Sequence, residues 1–282
     1  MGSVKSAQMV TDKFITEHHL PKGDITGTVT RKYANPPVQE VCAEIRFERP
    51  ENWDLTLPGL IYQALGGEEK FPHKEQERAL AKSSLTLGPS SLRQTADLVD
   101  RVKLFTDDRT TVIQLSSDLL SVHKLAPYDT WEAFAPVIGE SLSEYVRYAQ
   151  PKALAGLKLY YVDRIELPCG IDGIGQYLNL APYAGPELME SEQFDTFISG
   201  ICSRHEGGRD ALRMELLTVA PSESSKLHLQ LLSLYFLVNI KSVPLETPEI
   251  MTWLKTAHDN VSRAFESCIT DNTRALFGEV MT

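Results

Sequence analysis

The chain has 282 residues, of which 42% are hydrophobic and 23% are charged, and its formal net charge is −10. This composition is typical of a globular protein with a sizeable core, and the length allows one large domain or two closely packed ones. The acidic balance, with no Lys/Arg-rich run, argues against general binding to nucleic-acid phosphates.

The cysteines and the hydropathy pattern predict a soluble, cytoplasmic protein. The four cysteines are widely scattered and form no CxxC pair. Without a secretory leader, this usage favours reduced thiols. No apolar run approaches the roughly 20 residues that a membrane-spanning helix needs.

Residues 1–34 show no sustained periodicity, and we interpret them as an N-terminal arm. The folded body is predicted to start after Asn35-Pro36-Pro37 with a strand over 41–47, whose side chains alternate between apolar and polar or charged. A short helix is predicted over 57–65, closed by two glycines.

The pattern is weaker from residue 68 to residue 96. A piece rich in Lys, Glu and Gln over 74–82 has the composition of a helix. We therefore expect a helix there, followed by a loop over 88–91.

Three short strands and a long amphipathic helix are predicted over residues 101–150. The runs 101–106, 111–115 and 119–125 are too close together for parallel crossovers, which favours an antiparallel meander. Asp129 is predicted to cap the helix, with Glu132 as its capping-box partner. The apolar stripe of this helix, at spacings of three and four, consists of Trp131, Phe134, Ile138, Leu142 and Tyr145.

The second half of the chain repeats this order. A strand over 157–167 places Asp163 on its apolar face, where a carboxylate needs a hydrogen bond or a cation. Three strands are predicted over 194–203, 212–220 and 227–240, and the apolar character of both faces of the third predicts a central position. Thr247 as N-cap and Pro248 begin the last helix.

The pattern predicts an α+β fold made of two tandem βαβββα units, at 35–152 and 153–282, packed as one globular body. We expect a largely antiparallel sheet with long helices on one face, similar in outline to the saddle of TATA-binding-protein-like folds. If the two leading strands pair antiparallel, Glu44 and Arg46 are expected to face Arg164 and Glu166.

Several motifs resemble those of a sporadically distributed bacterial family of similar length with no known activity. The motifs are Asn35-Pro36-Pro37-Val38, Glu44-Ile45-Arg46-Phe47, Pro127-Tyr128…Trp131 and Ile269-Thr270-Asp271…Leu276-Phe277-Gly278. The resemblance implies a bacterial cytosolic protein and is compatible with a role in defence or toxin regulation, but it transfers no catalytic residue. The family pattern often has Asn where this chain has Asp163.

Motifs for phosphate, dinucleotide or metal binding are not found. There is no Walker A sequence, and the glycines at 170–175 have the wrong spacing for a dinucleotide fingerprint. The seven histidines show no ligand spacing. We therefore predict no cofactor, no metal site and no catalytic residue.

The expected function is that of a non-catalytic interaction or ligand-binding protein. The polar sheet face is its predicted groove, and its residues are Glu40, Glu44, Arg46, Lys158, Tyr160 and Arg164. Tyr128 and Trp131 either anchor a partner or fasten the helix onto the sheet.

The expected partner is a protein, which includes a second copy of the chain, or a small polar ligand. No membrane contact is expected. An alternative is an enzyme acting on a small polar substrate in the same groove. It would use Asp163, His123 or His228 for acid–base chemistry and requires these groups to converge.

Overall fold

A computed structural model describes residues 31–50, 53–87, 92–168, 173–180, 196–219 and 226–280, with backbone only for 79–87, 92–99 and 226. Most of the predicted arm and the loop at 88–91 lie outside these residues. The end of the arm segment forms a short strand.

The described strands are β1 Lys32–Tyr33, β2 Val38–Phe47, β3 His73–Leu87, β4 Leu92–Phe105, β5 Thr111–Leu115, β6 Leu119–Leu125, β7 Leu154–Pro168, β8 Ile198–His205, β9 Asp210–Thr218, β10 Lys226–Leu237 and β11 Glu279–Val280. One nine-stranded sheet has the order β3-β4-β5-β6-β2-β7-β10-β9-β8, and every neighbouring pair in it is antiparallel. Strands β1 and β11 pair separately, with Lys32 opposite Val280.

The helices are α1 Leu57–Ala64, α2 Gly67–Lys70, α3 Trp131–Ala149, α4 Thr247–Cys268 and α5 Asp271–Phe277, with 3-10 turns at Ile174–Gln176, Glu206–Gly208 and Ile240–Ser242. Aromatic contacts place α3 and α4 on the same side of the sheet. Tyr145 of α3 stacks on Phe47 of β2 with ring centroids 4.7 Å apart, and Trp253 of α4 packs against Tyr235 of β10 at 5.6 Å. The mixed α+β class and the large antiparallel sheet are confirmed.

Within the described part of the chain, no helix combines the length and the apolar character needed to cross a membrane.

The core is one apolar cluster between the sheet and these helices. Inward side chains of β2 contribute Val41, Ala43, Ile45 and Phe47, all buried. The predicted stripe of α3 is also buried along its length. The period-two and period-3.6 patterns therefore identified the core faces correctly.

The helix expected over 74–82 is wrong, because that segment belongs to strand β3. Its partner β4 pairs with it from His73 opposite Phe105 onward. Charged side chains match across the pair, with Lys103 Nζ 2.9 Å from Glu77 Oε2. Pairing with β4 thus outweighs the helix preference that the composition of residues 74–82 indicates.

Both predicted helix caps are wrong by one residue. Helix α3 is capped by Thr130, whose backbone is extended and whose hydroxyl accepts a hydrogen bond from the amide of Ala133 at 3.2 Å. Helix α4 has Glu246 at its N-cap, so that Thr247 is its first helical residue.

The leading strands β2 and β7 do pair antiparallel, but the expected register is wrong. Glu44 lies opposite Lys158, and Arg46 lies opposite Gly156. Strand β7 has 15 residues and β2 has 10, and β2 pairs with the first part of β7. Arg164 lies beyond this ladder, and its amide donates to the carbonyl of Pro37 at 2.9 Å.

Candidate functional site

The face of the nine-stranded sheet opposite α3 and α4 is here called the open face, because no described helix packs on it. Because side chains alternate along each strand, the even-numbered residues of β2, β7 and β10 lie on this face. The odd-numbered residues of β6 lie opposite the even-numbered residues of β2, on the same face. It carries all six predicted groove residues, Glu40, Glu44, Arg46, Lys158, Tyr160 and Arg164.

Tyr128 and Trp131 lie on the other side of the sheet, among the helices. Trp131 is buried and stacks on His258 with ring centroids 4.6 Å apart. Tyr128 packs edge-on against Tyr161 and Phe134. Of the two predicted roles, their positions support fastening the helix onto the sheet, and an exposed anchor at Trp131 is wrong.

A polar network occupies the centre of the open face, where β6, β2 and β7 lie side by side. His123 Nδ1 lies 2.8 Å from Glu40 Oε1, and the hydroxyl of Tyr160 donates to the same oxygen at 2.9 Å. The hydrogen bond with His123 lowers the pKa of Glu40 below its usual value, and the bond from Tyr160 adds to this effect. The Glu40 carboxylate is therefore held ionised and in a fixed position.

The other ring nitrogen of His123 completes a Ser–His–Glu line. His123 Nε2 lies 2.9 Å from Ser121 Oγ and 3.6 Å from Cys42 Sγ. This is the connectivity of an activated nucleophile, but a nucleophile must also be reachable by its substrate. Ser121 is only 2% exposed and Cys42 only 1%, and burial raises the pKa of the Cys42 thiol. The line therefore orients His123 and supplies no accessible nucleophile.

A second network connects β2 and β7 through Glu44. Lys158 Nζ lies 3.0 Å from its carboxylate and Arg46 Nε lies 2.7 Å from it. Burial alone would raise the pKa of Glu44, but the hydrogen bonds from Lys158 and Arg46 outweigh burial and lower the pKa. Two cations thus share one partly buried carboxylate.

The groups that the enzyme alternative requires do not converge. His123 and Tyr160 both lie opposite Cys42, whereas His228 lies opposite Glu166. Tyr160 and Glu166 are six residues apart on β7, so the two histidines are separated by roughly 20 Å along the strands. Asp163 points to the helix side and is buried. His228 instead lies 3.1 Å from the guanidinium of Arg164 and 3.5 Å from the carboxylate of Glu166.

Two buried carboxyl groups lie on the helix side of the sheet. Asp163 has no hydrogen bond or ion pair within the described structure, and burial raises its pKa to about 7. Asp210 accepts hydrogen bonds from Trp253 Nε1 at 3.0 Å, the Tyr235 hydroxyl at 3.0 Å and Arg209 Nη2 at 2.7 Å. Asp210 is the first residue of β9, and its side chain is buried on the inward face of that strand.

The sequence did not predict that Ser121, Cys42, Glu40 and His123 lie together. Alternation alone assigns Glu40 and Cys42 to one face, but their partners depend on which residues of β6 and β7 lie opposite. That register is set by non-local pairing.

The described residues contain no group of three or more His, Cys, Asp or Glu side chains able to hold a metal ion. No protein-family model matches the chain, and no curated protein matches it either. Function must therefore be inferred from the geometry of the open face.

Proposed function

We propose that this chain is a non-catalytic binding protein whose open face is the binding surface. The observation that carries the proposal is a broad sheet face, with no described helix on it, whose polar side chains are fixed by cross-strand hydrogen bonds. A surface that is ordered before binding loses less side-chain entropy when a partner arrives. The Glu40–His123–Tyr160 network and the Glu44 network both have this property.

Burial of the nucleophile candidates supports binding over catalysis. The Ser121 hydroxyl and Cys42 thiol are inaccessible, and His123 and His228 occupy separate parts of the face. An acid–base mechanism needs its groups within hydrogen-bond reach of one substrate atom. The separation of the histidines disfavours the enzyme alternative.

The shape of the face favours a protein over a small ligand. A depression at the β8–β9 edge, of about 300 Å³, is lined by only five residues and is open to solvent. Sites for small molecules are usually enclosed clefts that bury most of the ligand. A sheet face that extends over several strands suits a partner with an extended surface.

The strand order supports an internal duplication as part of the proposal. On either side of the β2–β7 pair, the order β2-β6-β5-β4 corresponds to β7-β10-β9-β8, and α3 and α4 each follow a three-stranded meander. We infer two related βαβββα units with a saddle-like outline. Membership of the bacterial family, a cytoplasmic location and a role in defence or toxin regulation belong to the same proposal.

The proposal is tested by reversing one exposed charge on each side of the sheet. Arg164→Glu alters the open face, and Arg147→Glu makes the same change on the outer surface of α3, where the side chain is 68% exposed. Pull-down and metabolite screens should recover partners with the wild-type chain and Arg147→Glu. Arg164→Glu should bind these partners about tenfold or more weakly.

Equal binding by Arg164→Glu and the wild type would contradict the proposal. Replacing His123 and His228 together by Gln separates the enzyme alternative from it. Turnover of a screened metabolite that disappears in this double variant, while the fold is retained, would establish the enzyme alternative instead.

A further inference from the structure

Strand β10 carries an outward apolar stripe in the interior of the open face. Leu232, Leu234 and Phe236 point outward and are half-buried, although β10 has neighbours on both sides. The apolar character of both β10 faces predicted a central position in the sheet, and β10 does lie between β7 and β9. Only its inward face meets described helices, so the outward stripe needs another explanation.

The stripe continues onto the neighbouring strands. Val162 of β7 lies opposite Leu232, and Leu217 of β9 lies opposite Ile198 of β8. Ile198 is 74% exposed. Exposed apolar side chains with polar neighbours are typical of a protein interaction site.

The charged rim presents cations outward and keeps its carboxylates closer to the sheet. Lys158 is 42% exposed and its partner Glu44 is 17% exposed. Arg213 is 54% exposed and its partner Glu215 is 19% exposed. Arg164 and Glu166 show the same order at 47% and 39%. A docking partner therefore meets ammonium and guanidinium groups first, although the whole chain is acidic.

Resting on the proposed binding function, we infer that the β10 stripe docks an acidic amphipathic segment of a partner protein. Its apolar side chains would cover Leu232, Leu234 and Phe236, and its carboxylates would reach Lys158 and Arg213. The three stripe residues span roughly 13 Å along β10. Two to three turns of a helix, at about 5.4 Å per turn, match that length.

A single-stranded nucleic acid fits this surface less well. Binding of unpaired bases depends on stacking on aromatic side chains, and the stripe is mostly aliphatic. The chemistry favours a segment that supplies both apolar and acidic groups.

The inference is tested with designed peptides and the full-length chain. The first peptide is an amphipathic helix with leucines on one side and glutamates on the other. A second peptide carries lysines in place of the glutamates, a third carries serines in place of the leucines, and oligothymidine is the fourth probe. Fluorescence anisotropy should show binding of the first peptide at about 10–100 μM and binding of the other probes about tenfold or more weakly.

Two open-face variants and two matched controls locate the binding. Leu234→Ser and Arg213→Glu should each weaken the acidic peptide about tenfold or more. Leu276→Ser removes an exposed leucine from α5, and Arg147→Glu reverses a charge on α3, so both should bind like the wild type. Near-ultraviolet circular dichroism confirms that each variant is folded.

Absence of binding to the acidic peptide up to about 1 mM would overturn the inference. Unchanged affinity for the acidic peptide in Leu234→Ser and Arg213→Glu would overturn it as well. Tighter binding of oligothymidine than of the acidic peptide would also overturn it. Tighter binding of the lysine peptide, lost in Leu234→Ser, would reject the acidic partner and leave the open face as the binding surface. Failure of the proposed function itself would appear separately, as equal partner recovery by Arg164→Glu and the wild type.

Discussion

The two buried carboxyl groups on the helix side of the sheet show how surroundings decide the effect of one residue type. Three donors surround Asp210, so its removal leaves buried N–H and O–H groups without an acceptor. No donor reaches Asp163 from the described residues, so its ionisation is opposed by burial alone. The same substitution at the two positions should therefore have opposite effects on stability.

The carboxyl of Asp163 links stability to pH. Its folded pKa of about 7 exceeds the unfolded value of about 3.9, so the folded state retains a proton that the unfolded state releases between these values. Its stabilising contribution is complete below about pH 4 and is lost as pH rises through 7. Asp163→Asn should be more stable than the wild type at pH 8, by on the order of 4 kcal/mol, and nearly equal at pH 4.5.

Urea denaturation at the two pH values measures this difference. Asp210→Asn is the contrasting variant, and it should lower the free energy of unfolding by about 1–3 kcal/mol at both. A wild type that is as stable as Asp163→Asn at pH 8 would show that Asp163 is paired or hydrated in solution.

His258 has the opposite linkage. Burial lowers its pKa to about 4, and its Nδ1 lies within hydrogen-bond distance of the Tyr161 hydroxyl, at 2.8 Å. Because the unfolded value is about 6.5, its contribution is present above that pH and is lost as pH falls through 4. The contributions of Asp163 and His258 oppose each other between about pH 4 and 7, so Asp163→Asn should reveal a stability that increases with pH.

At the scale of elements, the start of α3 depends on Thr130. Its hydroxyl accepts from the Ala133 amide, one of the donors that a helix leaves unpaired at its first turn. Thr130→Ala should lower the free energy of unfolding by about 1 kcal/mol. Asp129→Ala, the control suggested by the sequence, should change it by about 0.5 kcal/mol or less. If chemical denaturation shows a larger loss of unfolding free energy for Asp129→Ala than for Thr130→Ala, Asp129 is the N-cap.

Elements with strong local patterns were predictable from the sequence. Strands β5 and β6 have the predicted bounds, because short turns separate clear apolar runs. The stripe of α3 was also correct, since its spacing is that of one helix face. Strand β3 was missed because its charged composition suits a helix, and only pairing with β4 makes it a strand.

The same distinction applies to the open face. The alternation of side chains along a strand predicted that Glu40, Glu44 and Arg46 share a face. This alternation is a local property of one strand. The contacts of Glu44 with Lys158 and of Glu40 with His123 depend on register between distant segments. The sequence had suggested Arg164 opposite the first unit, and nothing local could correct this.

At the scale of the whole molecule, the apolar cluster is continuous across the β2–β7 pair. Leu159 of β7 is fully buried at this junction. Leu159→Ala should cost about 2–5 kcal/mol and should destabilise both halves together. Chains that retain only Trp131 or only Trp253, with the other two tryptophans replaced by Phe, report on each half. Their fluorescence transitions in urea should coincide, and separate midpoints would indicate halves that unfold independently.

The pairing of β1 with β11 brings the two ends of the described chain together, because Lys32 lies opposite Val280. A short linker would join them into a ring at a small entropic penalty. Cutting that ring in the exposed turn at 107–109 would leave every strand of the large sheet intact. Such a circular permutant would be synthesised with its β5–β11 portion first, and it should still reach the native topology.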